Sequence, residues 1–193
     1  MKLFFYLLFT MFLCVSCGEN HIPKPKGYLR LEYPKAQYEK ADYNLPFDFE
    51  INKTGSQLET KKLASTTESY GINIEYPLLK GTIFLTYKAI NNNRDNLVAF
   101  LKDAQNLPQK HMIKADGIVE TRYENNANKV YGMFYEVDGN AASQSQFYVT
   151  DSVEHFLTGS LYFYAKPNYD SILPAANYLE KDIKHIMETI KWK

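Results

Sequence analysis

Alternation and helical spacing of apolar residues divide the chain from Leu45 onward into predicted strands and helices. Phe47, Phe49 and Ile51 alternate with Asp48, Glu50 and Asn52, the period-two signature of a half-buried strand. Further strands are predicted from Gly71 to Tyr76, stopped by Pro77, and from Thr82 to Ile90 after the turn signal Lys80-Gly81. The intervening Thr54 to Tyr70 is polar and is assigned no element. Asn91, Asn92 and Asn93 close the third strand and offer caps for a helix with Asp95 in or just before its first turn. Leu97, Phe100, Leu101, Ala104 and Leu107 then form one apolar stripe. Pro108 is expected to kink or divide this helix, with a short second segment reaching Ala115. Gly117 to Glu124 and Lys129 to Val137 read as a hairpin around residues 125–128, followed by strands near Ser143 to Thr150 and Glu154 to Ala165. Four successive strands with short connections imply an antiparallel sheet.

The last element has the clearest period. Ile172, Ala176, Leu179, Ile183, Ile186 and Ile190 step by three and four, while Glu180, Lys181, Asp182, Lys184 and Glu188 fall elsewhere on the wheel. Pro174 suits a first turn, with Asp170 or Ser171 as cap, and Trp192 is expected to pack at the sheet edge. The expectation is an α+β fold: a single-domain antiparallel sheet of about six to seven strands flanked by helices, the long C-terminal helix lying across one face. Residues 45–193 form this domain, and its 149 residues (193 − 44) suffice for one core.

Residues 1–16 read as an export signal rather than as part of the fold. Lys2 precedes an eleven-residue apolar run, Leu3 to Leu13, interrupted only by Thr10. A helix of that length rises roughly 16 Å against a hydrocarbon core of about 30 Å, too short to span alone. Both cysteines of the chain end this run, and Cys14-Val15-Ser16-Cys17 resembles a bacterial lipobox with Cys17 as the acylated mature N-terminus. Val15 and Ser16 suit the pattern, whereas Cys14 stands where Leu is usual. A thiol is needed to attach the diacylglycerol, and each buried methylene adds about 0.8 kcal/mol of membrane affinity. A plain secretory signal or an uncleaved anchor are the alternatives. After cleavage the chain would hold no further cysteine for a disulfide, a thiolate metal site or a nucleophile.

Residues 17–44 form a Pro- and Tyr-rich arm. Pro23, Pro25 and Pro34 favour extended backbone, and Tyr28, Tyr33, Tyr38 and Tyr43 recur every five residues, matching neither a helix nor a strand face. This reads as an irregular strap whose rings dock on its own domain or on a partner. Five basic residues against two acidic ones between His21 and Lys40 give an arm able to rest on anionic headgroups, or simply a solvated linker.

Composition narrows the function. Twenty-two Lys and Arg balance 22 Asp and Glu, which excludes a nucleic-acid binder working by bulk charge. The four histidines, His21, His111, His155 and His185, fit no ligand spacing, and no nucleophile elbow or phosphate loop occurs. Asp182 and His185, three apart, read as an exposed ion pair; Asp48 and Glu50 share a strand face expected to be solvated. Gly159-Ser160 reads as a bulge or a close packing contact. No catalytic residue, metal site or cofactor is expected.

The order of features resembles a family. The lipobox at Cys17, the strap PKPKGYLRLEYP from Pro23 to Pro34, PFDFE at Pro46 to Glu50, KHMIKADGI at Lys110 to Ile118 and the ending YLEKDIKHIMETIKW together are similar to GldD, a gliding-motility lipoprotein family of the Bacteroidota. The resemblance spans essentially the whole chain. It implies a non-enzymatic envelope lipoprotein, a component or assembly factor of the gliding-motility and type IX secretion machinery, held to the membrane by its lipid and meeting other envelope proteins of that machinery. Only Glu19 is acidic among the four residues after Cys17, where surface-exported lipoproteins of this phylum carry an acidic run, so the periplasmic side is favoured. Tyr28, Arg30 and Tyr33 are the candidate docking residues. The element order is also similar to the Mog1/PsbP-like sandwich. A periplasmic small-ligand or peptidoglycan-binding module is the alternative, marked by a deep aromatic-lined pocket; a hydrolase would bring His111 or His155 to a buried carboxylate.

Overall fold

Alternation in the middle of the chain puts Ile72, Ile74 and Tyr76 beside Ile83, Leu85 and Tyr87 on one face, all essentially sealed from solvent. These residues belong to β5 (Ser69–Tyr76) and β6 (Gly81–Ala89), the second and third strands of a seven-stranded antiparallel sheet. The fold is that of a computed structural model describing residues 32–53, 56–111, 115–164 and 169–193, without the side chains of 107–111 and 169. The other strands of the sheet are β4 (Gln57–Lys62), β7 (Ala115–Asn125), β8 (Val130–Gly139), β9 (Ser145–Thr150) and β10 (His155–Phe163), in the order β4-β5-β6-β10-β9-β8-β7. Two small ribbons stand beside it. β1 (Tyr38–Lys40) pairs with β3 (Glu50–Asn52), and β2 (Phe47–Asp48) pairs with β11 (Lys191–Trp192), both antiparallel.

A helix covers part of each face. The C-terminal helix α2 (Tyr169–Thr189) buries Ala176, Leu179, Ile183, Ile186 and Met187 against the face carrying Ile72, Ile83, Phe134, Phe147, Val149, Leu157 and Leu161. The first helix, α1 (Arg94–His111), lays Leu97, Phe100, Leu101 and Ala104 over Ile90, Tyr135, Tyr148 and Phe156 on the other. The Asn93 side chain caps α1, accepting from the backbone N–H of Asp95 at 2.8 Å. The α+β architecture, the antiparallel sheet and the long terminal helix agree with the expectation.

Several details differ from it. The polar stretch before residue 70 contains β4, an edge strand held by its ladder to β5, with Leu58 and little else turned inward. No apolar alternation announces such a strand, because every residue of it except Leu58 meets water. Pro108 does not divide α1, which continues to His111 as one element. Pro174 lies in the second turn of α2, which starts at Tyr169, so Asp170 and Ser171 are helical rather than caps. Asp170 in the first turn faces the positive end of the helix dipole.

Two smaller expectations resolve. Pairing runs in unbroken register through Gly159 on both sides, and a Cβ there would meet Phe147 Cε1 at 2.2 Å, so the glycine serves a close contact rather than a bulge. Trp192 closes the edge, with its indole stacked on His155 at 5.0 Å and its Nε1–H donated to the Lys129 carbonyl at 3.1 Å.

Candidate functional site

Beside its apolar stripe α2 carries a second, polar one. Tyr178, Asp182, His185 and Thr189 step by four, three and four residues, so they line one side of the helix. Opposite them run the strap from Tyr33 through β1, and β3. Tyr33 packs on Tyr178 with ring centroids 4.9 Å apart, and the Tyr178 hydroxyl donates to the Pro34 carbonyl at 2.9 Å. Five residues on, Tyr38 stacks on the His185 ring at 3.6 Å and 19°. Its hydroxyl donates to Asp182 Oδ1 at 2.7 Å. Asn52 Nδ2 donates to Asp182 Oδ2 at 3.0 Å and to the Tyr178 hydroxyl at 3.1 Å, while Asn52 Oδ1 accepts from the Gln37 N–H. The strap is thus clasped onto the helix by two rings and one shared carboxylate.

Asp182 is 1% exposed, which corrects the reading of Asp182 with His185 as a solvated ion pair. The carboxylate turns to Tyr38 and Asn52; His185 instead places Nε2 2.9 Å from Glu50 Oε2, tying β3 to the helix. Burial, then the hydrogen bond to Asp182, raises the Tyr38 pKa well above that of an ordinary phenol, and burial followed by the Asp182 charge does the same to Tyr76. Both phenols therefore stay protonated at physiological pH, and Tyr38 stays a donor to this carboxylate.

Next to the clasp an open cleft of about 280 Å³ is lined by Lys40, Asp48, Phe49, Glu50, Glu188, Thr189 and Lys191. Asp48 and Glu50, expected on a solvated face, are partnered here. Lys40 Nζ reaches Asp48 Oδ2 at 2.8 Å and Lys193 Nζ reaches Oδ1 at 2.9 Å, so one carboxylate joins the strap to the C-terminus. The hydrogen bond from Lys40, then that from Lys193, holds the Asp48 carboxyl below its ordinary pKa of 3.8. A depressed carboxyl contributes stability that is full above the unfolded value and lost as pH falls through the folded one. Asp48→Asn is accordingly expected to flatten the loss of stability below about pH 4 while leaving its shape near neutrality unchanged, as read from urea midpoints across pH.

The remaining candidates sit as follows. Cys17, Tyr28 and Arg30 lie outside the described residues, as do His21 and the side chain of His111. Tyr33 is the one docking candidate within them, half-buried against Tyr178. His155 meets the Tyr87 hydroxyl at 2.8 Å through Nδ1 and the Trp192 ring. Among the described residues no group of three or more His, Cys, Asp or Glu side chains is placed to hold a metal, and no helix is long and apolar enough to cross a membrane.

These features define a class: an α+β domain whose N-terminal strap is locked along its terminal helix beside a charge-lined cleft. The chain belongs to the family of the gliding motility lipoprotein GldD, whose family model matches residues 18–192. No curated protein and no solved structure matches it. Membership makes it a motility component and a lipoprotein of the cell envelope.

Proposed function

We propose that the protein is anchored through an acylated Cys17, faces the periplasm, and acts without chemistry of its own as a component or assembly factor of the gliding-motility apparatus and its associated type IX secretion machinery. The clasp is the observation that carries this reading. Tyr33 and Tyr38 are fastened to α2, and among the described residues Tyr33 is the first one held there. Sixteen residue steps (33 − 17) separate it from Cys17, and a chain of that length reaches at most about 55 Å. A lipid on Cys17 would therefore hold the domain close to the bilayer. Tyr28 and Arg30 fall between lipid and clasp, the stretch assigned to partner docking, with Tyr33 at its inner end.

The alternative, a small-ligand or peptidoglycan-binding module, finds little support in this cleft. Its lining is charged, with Phe49 as the lone ring, which suits sugar stacking poorly.

Cells producing the Tyr28→Ala, Arg30→Ala, Tyr33→Ala triple variant in place of the native chain are expected to form non-spreading colonies and lose type IX cargo from the medium. The purified variant should stay folded, with loss of the Tyr33 packing costing about 1 kcal/mol. Normal spreading and secretion at native protein levels would refute docking through the strap.

A further inference from the structure

The two edges of the seven-stranded sheet are built differently. β4 is six residues long and ends in Lys61-Lys62, the kind of charged, short edge that discourages strand addition. β7 is eleven residues long, without lysine or proline, and seven of its residues are exposed. Its ladder runs to β8 on one side, so its other backbone edge is open among the described residues. Val119 is 54% exposed on this strand, and the Arg122 side chain 77%.

The strand is also complementary to itself. Let two copies of β7 run antiparallel about a two-fold axis through Thr121. Residues whose numbers sum to 242 then face each other, pairing 117–125 of each copy. Glu120 opposes Arg122 of the second copy, twice by symmetry, and Val119 opposes Tyr123 of the second copy, also twice. Thr121 meets its own equivalent. Opposite charges and aromatic-aliphatic pairs are the cross-strand combinations that stabilise a sheet. Shifting the axis by one residue opposes Glu120 to Glu120 in one direction and Arg122 to Arg122 in the other, so charge selects one register. The pairing is consistent with the faces already occupied. Tyr123 lies on the α2 side, donating to the Glu188 carbonyl, and Arg122 lies on the opposite side in an ion pair with Glu124.

We propose that β7 is a self-association edge: two copies of this chain join antiparallel at β7, with Thr121 on the axis, into a continuous fourteen-stranded sheet (2 × 7). This does not depend on acylation of Cys17 or on docking through the strap.

The test uses the full-length chain in its native envelope. Opposed Cα atoms in an antiparallel pair lie about 4.5–5.5 Å apart, within the disulfide range of about 4.4–6.8 Å. Mild oxidation of Thr121→Cys is therefore expected to give a covalent homodimer that the native chain does not form. Glu124→Cys should give none, because its equivalent sits six residues along, about 20 Å away. Arg122→Glu is expected to weaken self-association about tenfold, and adding Glu120→Arg to restore it. Equal cross-linking at both cysteines, capture of a different protein at position 121, or failure of the double charge swap to restore the dimer would each overturn the proposal.

Discussion

Asp182→Ala is expected to lower folding stability by about 3 kcal/mol, a fall of roughly 6–12 °C in melting temperature for a chain of this size, and to free the strap from α2. Two donors converge on this buried carboxylate: the Tyr38 hydroxyl at 2.7 Å and Asn52 Nδ2 at 3.0 Å. Truncation removes the acceptor of the Tyr38 hydroxyl and of one Asn52 N–H, and a buried donor that loses its acceptor costs more than the bond itself contributed. Asn52 cannot turn its amide to compensate, since its Oδ1 already accepts from Gln37 and its Nδ2 also serves Tyr178. Asp182→Asn separates charge from shape. It keeps the volume but offers one acceptor oxygen to two donors, so about half of the loss should remain. Tyr38→Phe should cost about 1.5 kcal/mol on its own and little more once Asp182 is gone, a coupling that a double-mutant cycle in urea reads directly. Proteolysis N-terminal to β1 should rise in both Asp182 variants; an Asp182→Ala protein as stable as the native one, with an equally protected strap, would show that the carboxylate does not hold the clasp.

Gly132→Ala should be the most damaging small substitution in the sheet. Gly132 lies in β8 between Tyr123 of β7 and Val149 of β9. A Cβ there would sit 1.8 Å from the Tyr148 carbonyl oxygen and 2.9 Å from Val149 Cα. Both obstacles are backbone, which cannot rotate aside as a side chain can, so β8 and β9 would have to part. A loss of at least about 4 kcal/mol is expected, with the variant largely insoluble at 37 °C. Gly117→Ala is the control. A Cβ at that position meets nothing within 4 Å, and its melting temperature should move by no more than about 2 °C.

What could be read in advance follows the physics of each element. Central strands and the apolar stripe of α2 are legible because burial on a fixed face forces a period; β5, β6 and the helix show it directly. β4 was not, since an edge strand needs only its backbone ladder. Asp182 and Asn52 escape a sequence reading for a related reason: a polar residue beside an apolar stripe reads as solvent-facing unless its partners are known, and those of Asp182 are Tyr38, 144 residues away, and Asn52, 130 residues away. The signal lay in the second stripe, Tyr178, Asp182, His185 and Thr189, which repeats the spacing of the apolar one in polar residues. In the same way the five-residue spacing of Tyr33 and Tyr38 matches no regular element because the two rings pair with a helix, Tyr33 with Tyr178 and Tyr38 with His185. The ion cluster at Asp48 joins residues 40, 48 and 193, a meeting that only the chain's return through β11 creates.

The proposed role is that of a lipid-held domain that meets the motility machinery. The most direct test is recovery of a tagged full-length protein from native envelopes beside a Cys17→Ala copy at matched abundance, with mass spectrometry of whatever each retains. Motility or secretion components held by the first and lost from the second, with acyl chains on Cys17, is the predicted result. The protein alone, or the same partners with and without Cys17, would contradict it.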